Sequence, residues 1–447
     1  MFIPFISSRR AKARRLAKRC EDETSTVLWT KTSSTANAST TKIDPTHYHH
    51  HPKLVYSAPS KPTSTSRETS FLSSIQPRKS SSTISRLVTT NTPIPTATAK
   101  KYTNGIYYPE WACNINPPSS LLVKDVTHVY YTFVGLNADG SIFLTEPESA
   151  GMTGSNKLTS DACVKSFRDI RDEQQPNLKL LFSVGGGIGS ANFSTVSAYA
   201  DTRRVFASQL RSLVNKYSYD GIDIDWETPK DIEEGDNFQA LIKTLRAYFP
   251  EGQYLLTSAF PATQWALQTI DVAKCIEQLD QFHLMAYDYY GPWNKTSGYQ
   301  AQLYSLIEGG DGGSTATTYC LKNNTELANK LILGVPLYAQ GFPGVNGTDQ
   351  TWDRKQASAD GIQVQYNQLG ITANDARVIY NQSVIGASFY NKTEDIWYSF
   401  DNEQSVAAKA SFVKASGLGG LFFWQGTGDM TGTANSLIGI SHMLLGR

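Results

Sequence analysis

Three acids stand at alternate positions in the segment from Asp220 to Glu227, which reads Asp-Gly-Ile-Asp-Ile-Asp-Trp-Glu. Side chains of a β-strand point alternately to opposite faces, so a strand here would place Asp223, Asp225 and Glu227 on one face. The opposite face would carry only large apolar side chains, namely Ile222, Ile224 and Trp226. Such a face requires burial, which argues against a surface strand whose acids simply lie in solvent. The segment therefore predicts a buried row of carboxyl groups.

Carboxyl groups this close together cannot all ionise, so at least one pKa in the row must rise. A carboxyl group that stays protonated near neutral pH can act as a general acid. Glu227 ends the row and is the candidate for that role. If the strand belongs to a β/α barrel, the row rises towards the carboxyl-terminal mouth, where the active sites of such barrels lie.

The composition narrows the class of protein. Of 447 residues, 40% are hydrophobic, 11% are aromatic and 18% are charged, with a formal net charge of +1. This balance suits a globular enzyme and argues against nucleic-acid binding, which needs a strongly basic face. No segment approaches the roughly 20 apolar residues of a membrane span. The five cysteines form no CxxC pair, so no zinc site is predicted, and their disulfide pairing stays open.

The chain divides near residue 100. Residues 1–100 are basic and then rich in Ser, Thr and Pro, which predicts a disordered tail, and the His47–His51 patch within it is predicted to be solvated. Residues 101–447 alternate β-branched runs with amphipathic segments, as βα units do. Eight strands are predicted, at 105–109, 127–134, 178–184, 220–227, 254–259, 282–287, 331–336 and 420–424. The fold class is therefore a (β/α)₈ barrel, with a small α+β insertion at about 341–398 between strands 7 and 8.

Several ordered motifs in this region resemble those of family 18 of the glycoside hydrolases, the chitinases and their relatives. Asp220–Glu227 is similar to the acid signature of the family, and the likeness extends from Tyr102 to the carboxyl terminus. The other motifs that carry the resemblance are Leu181-Phe-Ser-Val-Gly-Gly186, Met285-Ala-Tyr-Asp288, Gly291-Pro-Trp293, Lys330–Tyr338 and Gly417–Trp424. The resemblance implies hydrolysis of chitin, the β-1,4-linked polymer of N-acetylglucosamine, with no cofactor and no metal.

The resemblance also implies the role of each site residue. Glu227 would be the acid and then the base, and the substrate's own acetamido group would be the nucleophile. Asp225 would orient that acetamide, Asp223 would share a proton with Asp225, and Tyr287 would hydrogen-bond the acetamido oxygen. The substrate-binding residues would be Tyr107, Phe133, Gly186, Gly187, Met285, Asp288, Trp293, Tyr338 and Trp424, with Trp111 as a further cleft contact.

Three positions depart from the pattern of the family. Gly187 and Gln340 stand where many chitinases carry Trp and Arg, and Thr228 replaces a common aromatic residue. None of the departures removes an acid, so they concern affinity for sugar rather than catalysis. The Gly185–Gly189 loop lacks the full spacing of a dinucleotide-binding fingerprint and is predicted to be a tight turn.

Two alternatives stay open. One is a chitinase-like lectin that binds chitin oligosaccharides without cleaving them, and the other is an endo-β-N-acetylglucosaminidase that acts on N-glycans. We expect a monomer located outside the cell or in the cell wall. Beyond the tail, six glycosylation sequons favour secretion, beginning at Asn192, Asn294, Asn323, Asn346, Asn381 and Asn391.

Overall fold

The computed structural model describes residues 100–147, 157–322, 324–357, 361–372 and 375–446. Three predicted features lie outside the described residues: the tail except for residue 100, the His47–His51 patch within the tail, and the Asn323 sequon. Within them, no helix combines the length and the apolar character that crossing a membrane demands.

Eight parallel strands close into a barrel, because the first strand pairs with both the second and the last. The barrel strands are β1 (Thr103–Pro109), β2 (His128–Leu136), β4 (Lys179–Gly185), β5 (Gly221–Asp225), β6 (Leu255–Pro261), β7 (Gln281–Met285), β8 (Leu331–Pro336) and β14 (Gly420–Trp424). A short strand, β3 (Ile142–Leu144), pairs antiparallel with β2. The predicted (β/α)₈ barrel is confirmed.

Helices separate most of the barrel strands, and a last helix follows β14. They are α1 (Ser160–Gln174), α2 (Gly186–Gly189), α3 (Phe193–Ala198), α4 (Ala200–Tyr217), α5 (Ile232–Tyr248), α6 (Gln264–Leu267), α7 (Val272–Gln278), α8 (Gly313–Leu321), α9 (Glu403–Ala415) and α10 (Leu437–Leu445). Local sequence explains where several of them begin. Asp231 accepts a hydrogen bond from the Glu234 backbone N–H, and Asn402 forms a reciprocal capping box with Ser405.

A second sheet lies between β8 and β14 in the chain. Its five antiparallel strands are β9 (Tyr338–Pro343), β10 (Ile362–Gln365), β11 (Ile379–Asn381), β12 (Gly386–Asn391) and β13 (Ile396–Phe400), in the order β10-β9-β13-β12-β11. Within the described part of this insertion, the helical residues form short 3₁₀ turns at Arg354–Gln356 and Tyr366–Gln368. The sheet begins at Tyr338, only two residues after β8, so the chain passes directly from the barrel into the insertion.

Two predicted strands are longer than the strands of the structure. The segments predicted at 220–227 and 282–287 both leave the hydrogen-bonded ladder earlier, at Asp225 and Met285. The residues that follow are at the carboxyl ends of barrel strands, where the chain turns into a loop over the mouth. Their alternating sequence pattern continues past the point where pairing ends, so pattern alone overestimates the strands.

The cysteines behave in two ways. Cys113, which follows β1, forms a disulfide with Cys163 in α1, and both are buried. Cys275 and Cys320 are buried free thiols. The disulfide fastens the loop that follows β1 to the first long helix, and it closes a loop of 50 residues.

Candidate active site

The acid row lies inside the barrel, on β5 and just beyond its end. Asp223 and Asp225 are buried within the barrel, whereas Ile222, Ile224 and Trp226 belong to the apolar core between strands and helices. Trp226 stacks on Phe193 of α3, with ring centroids 5.5 Å apart. Burial of this outer face forces the alternate side chains inwards.

Asp223 is the deepest acid of the row, and hydroxyl groups surround it. Thr257 Oγ1 lies 2.6 Å from Oδ1, and Ser183 Oγ and Tyr107 Oη lie 2.7 and 3.0 Å from Oδ2. Burial raises the pKa of Asp223 to about 6, although the three hydroxyl groups act in the opposite direction. A carboxyl group with this pKa changes its charge within the working range of many enzymes.

Asp225 lies next along the row and has few partners. Burial raises its pKa well above the usual value, and the charges of Glu227 and Asp223 raise it further. Its Oδ1 is buried and has no hydrogen-bond partner among the described residues. A buried acceptor without a donor is costly, so this oxygen is suited to receive an N–H from a bound molecule.

Glu227 stands at the mouth. The residue is exposed to solvent by its accessible surface, but protein atoms crowd around its carboxyl group and remove much of its hydration. Loss of hydration raises its pKa to about 7, with the charge of Asp288 adding to the shift and the Gly187 backbone N–H opposing it. The Glu227 backbone N–H donates to Ser190 Oγ at 2.9 Å. The backbone of Glu227 is thus held in place, and the raised pKa favours the protonated carboxyl group below neutral pH.

Glycines bring the loop that follows β4 close to the acids. Gly185 and Gly186 have positive φ angles of 112° and 72°. A Cβ at Gly185 would lie 2.1 Å from the Asp225 carbonyl oxygen, and one at Gly186 would lie 2.5 Å from the Phe133 ring. Both the backbone conformation and the space therefore require glycine. The next residue, Gly187, presents its N–H to Glu227.

The insertion supplies part of the site. Tyr338 Oη and Gln340 Nε2, both on β9, donate to Asp288 Oδ1 at 2.7 and 2.9 Å. Asp288 follows β7 with a positive φ of 59°, and Gln300 Oε1 accepts its backbone N–H. Burial raises the pKa of Asp288, while the two donors lower it. The charge on Asp288 acts on Glu227 across the mouth.

Aromatic rings form the floor beside the acids. Trp424, at the end of β14, stacks on Phe133 at 5.8 Å and contacts Tyr107 at 5.9 Å and Trp111 at 6.4 Å between centroids. Tyr287 shares the inner cluster of the barrel with Met285 and Trp424. The Tyr287 hydroxyl makes no hydrogen bond within the described part of the chain, and burial together with the nearby acids raises its pKa. Flat apolar rings with a free hydroxyl suit a sugar ring that carries an amide.

The family model described as glycosyl hydrolases family 18 matches residues 103–429, more than half of the chain. The chain belongs to glycosyl hydrolases family 18. It is therefore a glycoside hydrolase, as its sequence predicts.

Relatives and solved structures agree with this assignment. Chitinase 1 of Aphanocladium album is 29% identical over 368 residues, which is 77% of this chain and 86% of the relative. Endochitinase 1 of Metarhizium robertsii is 28% identical over 382 residues, 77% and 85% of the two chains. The Group IV chitinase of Ostrinia furnacalis, of known structure, is 26% identical with a TM-score of 0.66 and covers 77% of this chain and 100% of its own. A family 18 chitinase of Cycas revoluta, solved with (GlcNAc)₃, is 25% identical with a TM-score of 0.64, covering 76% and 99%.

The structure of this family 18 enzyme brings most of the predicted site residues together. The inner cluster and the mouth contain Tyr107, Phe133, Gly186, Gly187, Met285, Tyr287, Asp288, Tyr338 and Trp424 around the three acids. Trp293 lies further out, on the loop after β7, and is 53% exposed. Its ring packs over Gly291, where a Cβ would lie 2.5 Å away.

Several residues of the site escaped the sequence analysis. Ser183 and Thr257 bind Asp223, Ser190 fixes the Glu227 backbone, and His283 contacts Tyr107 inside the barrel. Strand alternation could have indicated His283, since it shares a face with Met285 and Tyr287.

The substitution Asp288→Asn is expected to make the enzyme lose activity at a lower pH. The asparagine Oδ1 can still accept from Tyr338 and Gln340, and asparagine tolerates the positive φ, so only the charge is removed. Without that charge the pKa of Glu227 falls, so the predicted general acid loses its proton at a lower pH. The alkaline limb of the kcat/KM profile should therefore move to lower pH, and kcat/KM at pH 8 should fall severalfold. The exposed Asp236→Asn serves as the control and should leave the profile unchanged. If the alkaline limb of Asp288→Asn does not move, the charge of Asp288 does not act on Glu227.

Proposed function

We propose that this enzyme hydrolyses chitin with retention of configuration, and that the acetamido group of the substrate is the nucleophile. The observation that carries the proposal is the buried Asp225 Oδ1, which has no hydrogen-bond partner among the described residues and lies two positions before Glu227, whose pKa is raised to about 7. A retaining glycosidase of the usual kind uses a second carboxylate to attack the sugar. Here the second carboxyl group is buried and keeps one oxygen without a hydrogen-bond partner among the described residues, which suits the orientation of an N–H better than attack.

In the first step, the Glu227 proton passes to the glycosidic oxygen while the bond from that oxygen to the sugar C1 breaks. The acetamido carbonyl oxygen forms the new bond to C1, which gives a cyclic oxazolinium ion and a free alcohol end. In the second step, Glu227 takes a proton from water as the water oxygen attacks C1 from the side of the departed group. The ring opens, the acetamide is restored, and Glu227 regains its proton.

The neighbours of Glu227 assist through electrostatics. Asp225 accepts the acetamide N–H at its free oxygen and stabilises the positive charge of the oxazolinium ion. Tyr287 donates its hydroxyl to the acetamido oxygen, and Trp424 forms an apolar floor for the distorted ring. These groups are fixed before substrate arrives, so they need no reorganisation during the reaction. Asp223 takes part by sharing a proton with Asp225.

The substitution Tyr287→Phe is expected to lower kcat more than it raises KM. The ring stays in the inner cluster, so packing is preserved, while the donor to the acetamido oxygen is lost. This bond strengthens as the oxygen attacks C1, and a contact made mainly in the transition state is lost from kcat. We expect kcat to fall by about 10²-fold in steady-state assays on chitin oligosaccharides. The exposed Tyr199→Phe is the control, and a rise in KM at constant kcat would contradict the role.

The substrate class rests on the names of the relatives and on the shape of the mouth. The compared relatives are called chitinases or endochitinases, and the five-stranded insertion places Tyr338 and Gln340 along one side of the mouth. A long linear polymer suits a mouth bordered in this way. The test compares chitin hexasaccharide with an N-glycan core glycopeptide under matched conditions. Cleavage of the hexasaccharide is expected, cleavage of the glycopeptide alone would identify an endo-β-N-acetylglucosaminidase, and tight binding of either without cleavage would identify a lectin.

Action outside the cell or in the cell wall is part of the proposal. The Cys113–Cys163 disulfide supports it, because such bonds persist in oxidising compartments. Among the sequons, Asn346 is exposed in the insertion, whereas Asn192 donates its amide to the Leu136 carbonyl.

A further inference from the structure

A chain of polar side chains continues below the acids towards the amino-terminal ends of the strands. Tyr107 Oη lies 3.0 Å from Asp223 Oδ2 and 2.7 Å from His283 Nδ1. His283 Nε2 in turn lies 3.0 Å from Gln281 Oε1. All four side chains are buried inside the barrel. One tyrosine hydroxyl thus connects an acid of the active site to a buried histidine that no step of the proposed mechanism uses.

The Gln281 carboxamide is held at both ends. Its Oε1 accepts from Tyr130 Oη at 2.7 Å, and its Nε2 donates to Thr103 Oγ1 at 2.9 Å. The Nε2 also lies 3.3 Å from His128 Nε2. In this arrangement, His283 faces the oxygen of the carboxamide, which can only accept a hydrogen bond.

His283 is neutral, because burial lowers its pKa well below the usual value. The 3.9 Å separation between His283 Nδ1 and Asp223 Oδ1 is therefore not an ion pair. A neutral imidazole has a single N–H, and the facing Gln281 oxygen needs that proton on Nε2. Nδ1 then carries a lone pair and accepts from Tyr107.

The Tyr107 hydroxyl has one proton and two neighbours that can accept it. If Tyr107 donates to His283, its oxygen can only accept from Asp223, and Asp223 must be protonated. If Tyr107 donates to an ionised Asp223, the buried Nδ1 of His283 loses its donor, which is unfavourable. His283 and Asp223 therefore compete for one proton, and the presence of His283 favours the protonated form of Asp223.

We propose that His283 is a positioning residue that keeps the shared proton of the acid pair on Asp223, so that Asp225 meets the substrate as a carboxylate. This inference rests on the proposed function, in which Asp225 stabilises the oxazolinium ion. Without Nδ1, Tyr107 is free to donate to Asp223, which becomes the stronger acid. The shared proton then spends more time on Asp225, and the productive form of the pair becomes rarer.

The side chains that face His283 determine which groups near it can change charge in the pH range of the test. They are Tyr107 from β1, Tyr130 and His128 from β2, Asp223 from β5 and Phe422 from β14. Burial raises the pKa of both tyrosines and lowers that of His128 to about 4. Asp223, with its pKa of about 6, is thus the group of this set that changes charge between pH 5 and 7.

The kinetic test uses His283→Phe in the full chain. Phenylalanine keeps the stacking on Phe422 at 5.0 Å and the edge contact with Tyr130 at 4.7 Å, and it removes both ring nitrogens. We expect kcat on chitin hexasaccharide to fall by about tenfold at unchanged KM, as for a one-unit change in the acidity of Asp223. The acid limb of the kcat profile should move to lower pH, since the pair then loses its first proton more readily.

The matched control is Tyr130→Phe, which removes the other donor to the same Gln281 oxygen and leaves the His283–Tyr107 contact intact. This variant should keep the wild-type kcat and acid limb. Two outcomes would overturn the proposal and show that His283 has only a structural role. One is an equal loss of kcat in the two variants, and the other is an acid limb that does not move in His283→Phe.

A second measurement needs neither substrate nor a variant that folds. Nitrogen-15 NMR of the wild-type histidine rings, assigned by through-bond correlation, should give a neutral His283 protonated at Nε2. Protonation at Nδ1 would overturn the proposal. If the wild type fails to cleave chitin while His283 is protonated at Nε2, the substrate assignment is wrong and the hydrogen-bond competition stands.

Discussion

Glu227→Gln is expected to lower kcat on chitin oligosaccharides by about 10²–10⁴-fold while oligosaccharide affinity stays near that of the wild type. Glutamine has the shape of glutamate and can still accept the Gly187 N–H, but it has no proton to give to the glycosidic oxygen. Because the proposed mechanism uses this side chain in both the acid step and the base step, both half-reactions should slow down. The measurement combines single-turnover kinetics with calorimetric titration of the hexasaccharide.

The matched control is Glu251→Gln, an exposed glutamate in the turn before β6 at the opposite end of the barrel from the mouth. It should retain wild-type kinetics. A Glu227→Gln variant that cleaves at the wild-type rate would place the acid elsewhere. Loss of affinity equal to the loss of rate would mean that Glu227 binds the substrate rather than reacts with it.

Asp225→Asn is expected to lower kcat by about 10²–10³-fold, the loss that follows removal of one preorganised electrostatic contact. The asparagine oxygen can still accept the acetamide N–H, so KM should change far less than kcat. The substitution removes the negative charge that, in the proposed mechanism, stabilises the oxazolinium ion.

The control for this variant is the exposed Asp236→Asn on α5, which should behave as the wild type. The outcome that would contradict the role of Asp225 is a raised KM with kcat unchanged. That result would make Asp225 a contact for the ground state of the substrate, and the positive intermediate would need another partner.

The barrel and its acid row could be predicted because their signals are local. The Ile222, Ile224 and Trp226 face needs burial whatever its surroundings, and the acids must then point inwards. That Asp225 Oδ1 lacks a hydrogen-bond partner among the described residues could not be predicted. The contact depends on which side chains the neighbouring strands place at the level of Asp225 in the barrel. The stagger between strands depends on how the whole barrel closes, and the sequence of one strand does not reveal it.

Contacts between residues far apart in the sequence could not be predicted either. Tyr107 and His283 are 176 residues apart in sequence and meet only because β1 and β7 line the same interior. Tyr338 and Gln340 reach Asp288 because the insertion sheet begins immediately after β8. The pairing of Cys113 with Cys163 could not be chosen from five cysteines, because spacing alone allows several connections.

The most direct test of the central claim uses the full chain and partially deacetylated chitin, in which some units lack the acetamido group. Products are collected at early times, and the anomer and the acetylation of each new reducing end are determined by NMR. We expect every new reducing end to be acetylated and to appear first as the β-anomer, since the acetamide must attack C1 for the bond to break. New reducing ends that lack the acetyl group, or that appear first as the α-anomer, would contradict substrate-assisted retention.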